Sequence, residues 1–212
     1  MTSLYLIRHG ESLSNVEKAF TGQQNAPLSP MGVKQAESVC KFFDAIAVDA
    51  IYASDLTRAC QTVQGLSEKK GIRIQKTEKL REIFGGKWEG IRFSALETAF
   101  PQDYAKWKSD LANAVCTGGE SIRALSARVY AFLSGVAAEN PGKTIVIASH
   151  ATPIRAFMTI VQHGDIAAIP SVPWVPNASI TKVQYANGCF RIAEAGITSH
   201  LNTPITKLPD TV

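Results

Sequence analysis

The chain has 212 residues, of which 45% are hydrophobic and 19% charged, a composition typical of one folded domain rather than of a disordered segment. The 22 Lys and Arg residues outnumber the 18 Asp and Glu residues, which gives a formal net charge of +4. Because the basic residues are scattered, this mild excess suits an anionic small molecule and argues against a nucleic-acid-binding surface.

The sequence contains no apolar run long enough to cross a membrane, and its N-terminus lacks the pattern of a secretory signal peptide. The four cysteines are widely spaced and form no Cys-x-x-Cys motif, which is typical of reduced thiols. We therefore expect a cytoplasmic protein without a membrane partner.

The first predicted element ends in two residues with functional side chains. Residues 4–7 form a continuous apolar run, typical of a buried parallel strand, and Arg8, His9 and Gly10 follow at once. Ligands of open α/β sheets bind beyond the carboxyl ends of the strands. An arginine beside a histidine here indicates an anionic ligand, although a histidine taken alone is more often structural.

The connection after this strand, over residues 12–30, is polar and long, and it contains Asn15, Thr21 and Gly22. Its length fits a loop that folds over a ligand, but spacing alone does not distinguish this from a plain surface loop.

Ser29 as the N-cap and Pro30 in the first turn predict the start of a helix that ends at about Asp44. Helical spacing gives this helix one apolar face. That face is expected to carry Val33, Ala36, Val39, Cys40 and Phe43.

Residues 49–54 predict a second strand, and a helix begins directly after it at residue 55. Arg58 therefore lies in the first turn of that helix, where free backbone N–H groups and the helix dipole favour an anion. The alternative for Arg58 is an ordinary solvated arginine. A short alternating strand is predicted at residues 72–74.

The middle of the chain is less regular. Residues 80–90, which include Glu82, mix acidic, aromatic and glycine residues without a clean period, and we expect a functional loop or an irregular cap on the core. Residues 93–115 predict a helix because large apolar residues recur at helical spacing, and this stripe is expected to pack in the core or to roof a pocket. A further helix is predicted over residues 121–139.

Residues 143–150 repeat the pattern of the first strand, since an apolar run ends at His150. Parallel strands of one sheet point the same way, so His9 and His150 meet at one edge of the sheet if their strands are neighbours. A helix is predicted to start at residue 151.

The last predicted elements are two strands joined by a tight turn. Residues 179–185 and 189–193 flank an Asn-Gly pair, which predicts a β-hairpin. We expect residues 1–201 to form a single domain and residues 202–212 a loose C-terminal tail.

The polar side chains at these strand ends and helix starts fit phosphoryl transfer without a metal or a cofactor. Guanidiniums bind phosphate oxygens in a forked geometry. A neutral imidazole can accept a phosphoryl group, a protonated one can stabilise the charge in transfer, and a carboxylic acid can protonate the leaving group. The sequence has no cluster of His, Cys or acidic residues at metal-ligand spacing. The candidate residues are Arg8, His9, Arg58, Glu82 and His150.

A set of motifs in a fixed order resembles the histidine phosphatase superfamily, in the branch of the cofactor-dependent phosphoglycerate mutases and related phosphatases. The resemblance covers about residues 4–200, nearly the whole chain. The motifs are residues 8–12 (RHGES), 27–32 (PLSPMG), 54–59 (SDLTRA), 80–82 (LRE), 86–90 (GKWEG) and 149–150 (SH).

This resemblance implies an α/β fold, namely a three-layer α/β/α sandwich with a mostly parallel central sheet and the site at its carboxyl edge. It implies that His9 is the phosphohistidine nucleophile and Glu82 the proton donor. Arg8, Arg58 and His150 would complete the catalytic set and bind phosphate. The residues implied to bind substrate are Arg8, Asn15, Thr21, Gly22, Arg58, Glu82, His150 and Ala151.

One position departs from the family pattern, because the family usually has glycine after the second histidine, where this chain has Ala151. A methyl group there narrows the pocket or shifts His150. It removes no reacting group, so we expect activity to be retained.

Within the family, the sequence favours a phosphatase over a phosphoglycerate mutase. Mutases carry a longer middle insertion, a Tyr and a Lys three and eleven residues beyond the catalytic Glu, and an Arg-Arg pair. Here Gly85 and Phe93 occupy the first two positions, and no Arg-Arg pair occurs. We therefore expect a hydrolase of small phosphomonoesters, with the mutase as the alternative.

A non-catalytic phospho-ligand-binding or protein-interaction module is a further alternative, but it predicts the loss of reacting residues that are all present. The physiological substrate and any homo-oligomer stay open. The aromatic residues around the expected pocket indicate that the substrate need not be highly charged, and they are Phe20, Phe84, Trp88, Phe93 and Trp107.

Overall fold

The computed structural model describes residues 1–202, and its strands form a six-stranded mixed sheet. The strands are β1 (Thr2–Arg8), β2 (Ala50–Ser54), β3 (Ile74–Thr77), β4 (Thr144–Ser149), β5 (Ile180–Ala186) and β6 (Cys189–Ile197). Their order across the sheet is β3-β2-β4-β1-β5-β6. The strands from β3 to β1 pair in parallel, whereas β5 and β6 form an antiparallel hairpin beside β1. The mostly parallel sheet and the hairpin are confirmed.

Helices cover both faces of the sheet and give the expected three-layer architecture. They are α1 (Leu13–Glu17), α2 (Pro30–Phe42), α3 (Thr57–Lys70), α4 (Phe93–Ala99), α5 (Pro101–Ser109), α6 (Ile122–Glu139) and α7 (Ala151–His163). Short 3-10 turns lie at Glu78–Leu80, Gly86–Trp88, Leu111–Asn113 and Ile166–Ser171. Side chains of α2 and α3 pack on one face of the sheet, and those of α6 and α7 pack on the other.

The alternation of side chains along β1 divides the core in two. Leu4 and Leu6 belong to the buried cluster that includes α6 and α7, and Tyr5 and Ile7 belong to the cluster that includes α2 and α3. Successive side chains of a strand point to opposite faces, so a strand covered on both faces needs a continuous apolar run. The interpretation of residues 4–7 as a buried strand is confirmed.

Neighbouring strands bring the two predicted histidines to one edge of the sheet. The strands β1 and β4 pair in parallel, with Arg8 opposite Ser149. His9 and His150, the residues that follow, therefore leave the sheet side by side at its carboxyl edge, where a ligand is expected.

The predicted helix over residues 93–115 is wrong in its length. It is divided into α4, α5 and the turn at Leu111–Asn113. Pro101 has no N–H with which to continue α4, and it is instead accommodated in the first turn of α5.

The apolar face predicted for α2 is displaced. Val33 is 49% exposed, whereas Gly32 and Gln35 are buried. The reason is that the start of α2 packs closely on the loop after β1, where the Gln35 side-chain oxygen accepts a hydrogen bond from the Glu11 N–H at 2.8 Å.

Two shorter elements also differ from prediction. The strand predicted at residues 72–74 lies at Ile74–Thr77, and the polar connection contains the unpredicted helix α1, which the Ser12 side chain caps.

No helix among residues 1–202 is both long and apolar enough to span a lipid bilayer. Residues 203–212, which hold most of the expected tail, lie outside the described residues, so the division into domain and tail stays a prediction.

Candidate active site

The two histidines that follow β1 and β4 lie against each other. The ring centroids of His9 and His150 are 5.1 Å apart, with 61° between the ring planes. His9 is 5% exposed and His150 is fully buried. The juxtaposition expected from two parallel strands is confirmed.

The backbone fixes the tautomer of the His9 ring. Its Nδ1 lies 2.6 Å from the Gly10 carbonyl oxygen, and because a carbonyl oxygen only accepts, Nδ1 carries the proton and donates. Nε2 is therefore the ring nitrogen with a free lone pair when the imidazole is neutral. The His9 carbonyl in turn accepts hydrogen bonds from the Ala178 N–H at 3.1 Å and from Asn177 Nδ2 at 3.0 Å.

Burial and neighbouring arginines keep both imidazoles neutral at neutral pH. Burial lowers the pKa of His9 well below its ordinary value of 6.5, and the charges of Arg58 and Arg8 lower it further. The pKa of His150 is also lowered well below 6.5, first by burial and then by the charge of Arg58. A neutral imidazole at His9 is available as a nucleophile.

Two arginines reach the site from β1 and α3. Arg8 donates from Nη1 to the Val175 carbonyl at 2.7 Å. Arg58 donates from Nη1 to the Gln24 carbonyl at 2.7 Å and from Nη2 to the Gly22 carbonyl at 2.8 Å. Burial lowers the pKa of each guanidinium to about 10, so both remain protonated at neutral pH.

Five polar atoms at this edge are buried and lack a hydrogen-bond partner among residues 1–202. They are Nε of Arg8, Nε of Arg58, both ring nitrogens of His150, and Oδ1 of Asn177. An unpaired buried polar atom is costly, so such a cluster indicates a site that a ligand completes. The two guanidiniums indicate that this ligand is an anion.

Glu82 enters the site from the segment after β3. Its Oε1 accepts a hydrogen bond from the Ile83 N–H at 2.8 Å, and its Oε2 accepts one from the Thr152 N–H at 3.3 Å, at the positive end of α7. The Glu82 carbonyl accepts from Arg128 Nη2 at 3.1 Å and from Gln23 Nε2 at 3.2 Å. The side chain and the backbone of Glu82 are thus both tied to neighbouring segments.

Among residues 1–202, no three His, Cys, Asp or Glu side chains are grouped so as to hold a metal ion.

The cleft beside these groups is lined by every predicted substrate-binding residue except His150, which is buried beside His9. Asn15 is oriented by its side-chain oxygen, which accepts from the Ser12 N–H at 3.0 Å and from Asn177 Nδ2 at 3.2 Å. The lining residues that were predicted are Arg8, Asn15, Thr21, Gly22, Arg58, Glu82 and Ala151.

The cleft also has an aromatic wall. Phe20, Phe93 and Trp107 line it, and the Phe20 ring centroid lies 5.8 Å from that of Phe93 and 5.9 Å from that of Trp107. The expectation for the other two aromatic residues is wrong. Trp88 is fully buried against Phe20, and Phe84 is 44% exposed, so neither contributes to the lining.

Trp174 lines the cleft but is not predicted from the sequence. The guanidinium carbon of Arg155 lies 4.2 Å from the centroid of the Trp174 ring, and Arg155 donates to the Val172 and Ile169 carbonyls at 2.7 and 2.9 Å. The indole is held against a buried cation. Its segment has no periodicity, so no sequence pattern identifies it.

Thr62 is a second residue that the sequence does not single out. Its Oγ1 accepts from the Gly10 N–H at 2.9 Å and donates to the Arg58 carbonyl at 2.7 Å. It therefore joins the loop that carries His9 to the helix that carries Arg58. Its position one helical turn after Arg58 is the only feature of the sequence that points to it.

A model of the histidine phosphatase superfamily (branch 1) matches residues 4–198. The chain belongs to this superfamily. Phosphoserine phosphatase 1 of Hydrogenobacter thermophilus is 29% identical over 201 residues, which cover 95% of each chain. The probable phosphoglycerate mutase GpmB of Proteus mirabilis is 30% identical over 210 residues and also covers 95% of each chain.

Solved structures of the superfamily share the fold. YhfR of Bacillus stearothermophilus aligns with a TM-score of 0.90 at 28% identity, covering 94% of this chain and 99% of that one. A phosphoserine phosphatase of Entamoeba histolytica, solved as a histidine-to-alanine mutant with phosphoserine, aligns with a TM-score of 0.84 at 29% identity, covering 95% and 100%. The phosphoglycerate mutase-like fold is confirmed.

Proposed function

We propose that this chain is a metal-independent phosphomonoester hydrolase that acts through a phosphohistidine intermediate on His9. The observation that carries the proposal is the cluster of unpartnered buried polar atoms on Arg8, Arg58 and His150 beside the His9 ring. A phosphoryl group brings three oxygens that can accept from such donors. Membership of the superfamily and the likeness to phosphoserine phosphatases of other organisms support the same class of reaction.

In the first step, the neutral Nε2 of His9 attacks the phosphorus of the bound monoester. The P–N bond forms while the bond between phosphorus and the ester oxygen breaks, and the leaving oxygen takes a proton from the Glu82 carboxylic acid. The ring becomes cationic, and its Nδ1–H stays bonded to the Gly10 carbonyl.

In the second step, a water molecule attacks the phosphorus of the phosphohistidine and Glu82 takes a proton from that water. The P–N bond breaks, its electron pair returns to Nε2 of His9, and inorganic phosphate leaves. Glu82 is then protonated again for the next cycle.

The charges of the site match those of the substrate. A phosphomonoester carries close to two negative charges at neutral pH, and the guanidiniums of Arg8 and Arg58 supply two positive ones. His150 is held neutral by burial and by the charge of Arg58. A bound anion offsets that charge, so His150 is expected to gain a proton and donate to a phosphoryl oxygen.

The lining of the cleft favours a leaving group with an apolar or planar body. Phe20, Phe93, Trp107 and Trp174 supply apolar surface, while Lys18 is the cationic lining residue that remains for a second anionic group. We infer that aryl and nucleotide monophosphates are better substrates than phosphoglycerates.

The test is steady-state phosphate release from a panel of monoesters, with and without EDTA. The panel contains p-nitrophenyl phosphate, a nucleoside monophosphate, phosphoserine and 3-phosphoglycerate. We expect release that EDTA does not reduce, and a loss of at least about 1,000-fold in kcat for His9→Ala, since a covalent nucleophile is removed.

Several outcomes would overturn parts of this proposal. Equal inactivity of the wild type and His9→Ala would favour a phospho-ligand-binding module. Activity that EDTA abolishes and a metal restores would contradict metal independence. A strong preference for 3-phosphoglycerate would contradict the inference about the leaving group.

A phosphoglycerate mutase is the second candidate, because the Proteus mirabilis relative carries that name as a probable activity. Against it, Gly85 and Phe93 occupy the positions of the mutase Tyr and Lys. Supplying 3-phosphoglycerate with 2,3-bisphosphoglycerate decides between the two. Formation of 2-phosphoglycerate with little free phosphate would establish a mutase instead of the proposed hydrolase.

A further inference from the structure

The guanidinium of Arg58 is held in place by the loop over residues 22–24. Both of its Nη atoms donate to backbone carbonyls of this loop, those of Gly22 and Gln24, at 2.8 and 2.7 Å. Its Nε is buried and has no partner among residues 1–202. The position of the loop therefore determines where the unpaired Nε–H of Arg58 lies.

Glu89 holds this loop from the other side. Its Oε1 accepts hydrogen bonds from the Gln23 N–H at 2.7 Å and from the Gly85 N–H at 3.0 Å. One carboxylate oxygen thus fastens the loop to the segment that follows Glu82. Charge-assisted hydrogen bonds of this kind are stronger than those between neutral groups.

Two glycines leave the space that the Glu89 side chain occupies. A Cβ atom on Gly22 would lie 2.2 Å from Glu89 Oε1, and a Cβ atom on Gly85 would lie 2.9 Å from Glu89 Cγ. Gly22 also has a φ of +51°, in the region that favours glycine. The fit of Glu89 against the loop depends on both residues.

The charge of Glu89 also reaches Arg58. Burial lowers the pKa of Arg58 to about 10, and the negative charges of Glu82 and Glu89 oppose this lowering. Glu89 does not line the cleft, so its influence on a ligand passes through the loop and the guanidinium.

We propose that Glu89 is a positioning residue for phosphate binding, which acts through residues 22–24 on Arg58 without touching the substrate. The proposal rests on the proposed function, since it assumes that Arg58 binds the phosphoryl group.

The readout is the Ki of inorganic phosphate as a competitive inhibitor of p-nitrophenyl phosphate hydrolysis. A Ki does not depend on the concentration of active enzyme, so a purely structural loss of folded protein leaves it unchanged. We expect Glu89→Ala to raise this Ki by about tenfold, the scale of one charge-assisted hydrogen bond. Glu89→Gln keeps an acceptor oxygen and is expected to stay within about threefold of wild type.

A matched control and a double-mutant cycle locate the effect. Glu97→Ala, at an exposed position on α4, is expected to leave the Ki at the wild-type value. In the Arg58→Ala background, Glu89→Ala is expected to raise the Ki by less than about twofold, because two residues that act through one contact are not additive.

An unchanged Ki for Glu89→Ala, or a full effect that persists without Arg58, would overturn the positioning role while leaving the hydrolase intact. A wild type that neither hydrolyses monoesters nor binds inorganic phosphate would instead overturn the proposed function, and the positioning role with it.

Discussion

Acidification is expected to destabilise the folded chain through His9 and His150. Both side chains are buried, and burial lowers the pKa of each well below the 6.5 of an exposed histidine. At a pH between the lowered pKa of a histidine in the folded chain and its ordinary pKa in the unfolded chain, the unfolded chain binds a proton that the folded chain does not bind. The two histidines therefore do not reduce the free energy of unfolding above about pH 6.5, and they reduce it increasingly as the pH falls below that value.

The magnitude follows from linkage. A histidine that stays neutral in the folded state costs on the order of 1 kcal/mol of stability between pH 7.5 and pH 5.5, and two such histidines cost roughly twice as much. His150→Gln removes one titrating ring and keeps a neutral polar side chain. Over this interval, the free energy of unfolding of the wild type should therefore decrease by about 1 kcal/mol more than that of the variant.

The assay is urea unfolding followed by circular dichroism at pH 7.5, 6.5 and 5.5, in buffers without phosphate. The other titrating groups are common to both proteins, so the difference between the two pH profiles reports on His150. Saturating inorganic phosphate should reduce the pH dependence of the wild type, because a bound anion raises the pKa of both rings. Equal losses in the wild type and the variant would refute the claim that His150 is buried as the neutral imidazole.

Two substitutions test residues that the sequence does not single out. Thr62→Val removes the acceptor of the Gly10 N–H and leaves a buried donor unpaired. We therefore expect kcat to fall about tenfold and the free energy of unfolding to fall by about 1–3 kcal/mol. Thr62→Ser keeps both hydrogen bonds and should stay close to wild type in kinetics and in urea unfolding. Thr62→Val kinetics equal to wild type would contradict the bridge between the two segments. Trp174→Ala removes an aromatic side chain that lines the cleft. We therefore expect kcat/KM for p-nitrophenyl phosphate to fall about tenfold, and kcat/KM for glycerol phosphate to change by less than about threefold. Equal losses on both substrates would show that Trp174 does not contact the leaving group.

The sheet and the meeting of the histidines are predictable because both depend on local rules. A continuous apolar run such as residues 4–7 is typical of a strand that is buried on both faces, and parallel strands place their carboxyl ends at one edge of the sheet. The position of Arg58 at this edge is predictable in the same way, because Arg58 lies in the first turn of the helix that follows β2.

The details that escape prediction depend on packing between distant segments. Val33 has the spacing of a core residue, but the loop after β1 packs on Gly32 and Gln35 and rotates that face outwards. Glu89 acquires its contact from the loop over residues 22–24, and Trp174 acquires its contact from Arg155. Each partner belongs to another segment of the chain. No local pattern encodes such contacts.

The break in the helix over residues 93–115 is different, because its cause is visible in the sequence. Pro101 interrupts the pattern, and the recurrence of apolar residues on both sides of it conceals the boundary between α4 and α5.

The central claim is the covalent intermediate on His9, and it is tested most directly by trapping it. The enzyme is mixed with p-nitrophenyl phosphate, quenched in base within the first turnovers and digested for peptide mass spectrometry. We predict one phosphoryl group on the peptide that contains His9, stable to base and lost in acid, and absent from His9→Ala. Glu82→Gln should prolong its lifetime, because water is no longer deprotonated. Full turnover with no phosphoryl group on His9, or with the group on another residue, would contradict the account.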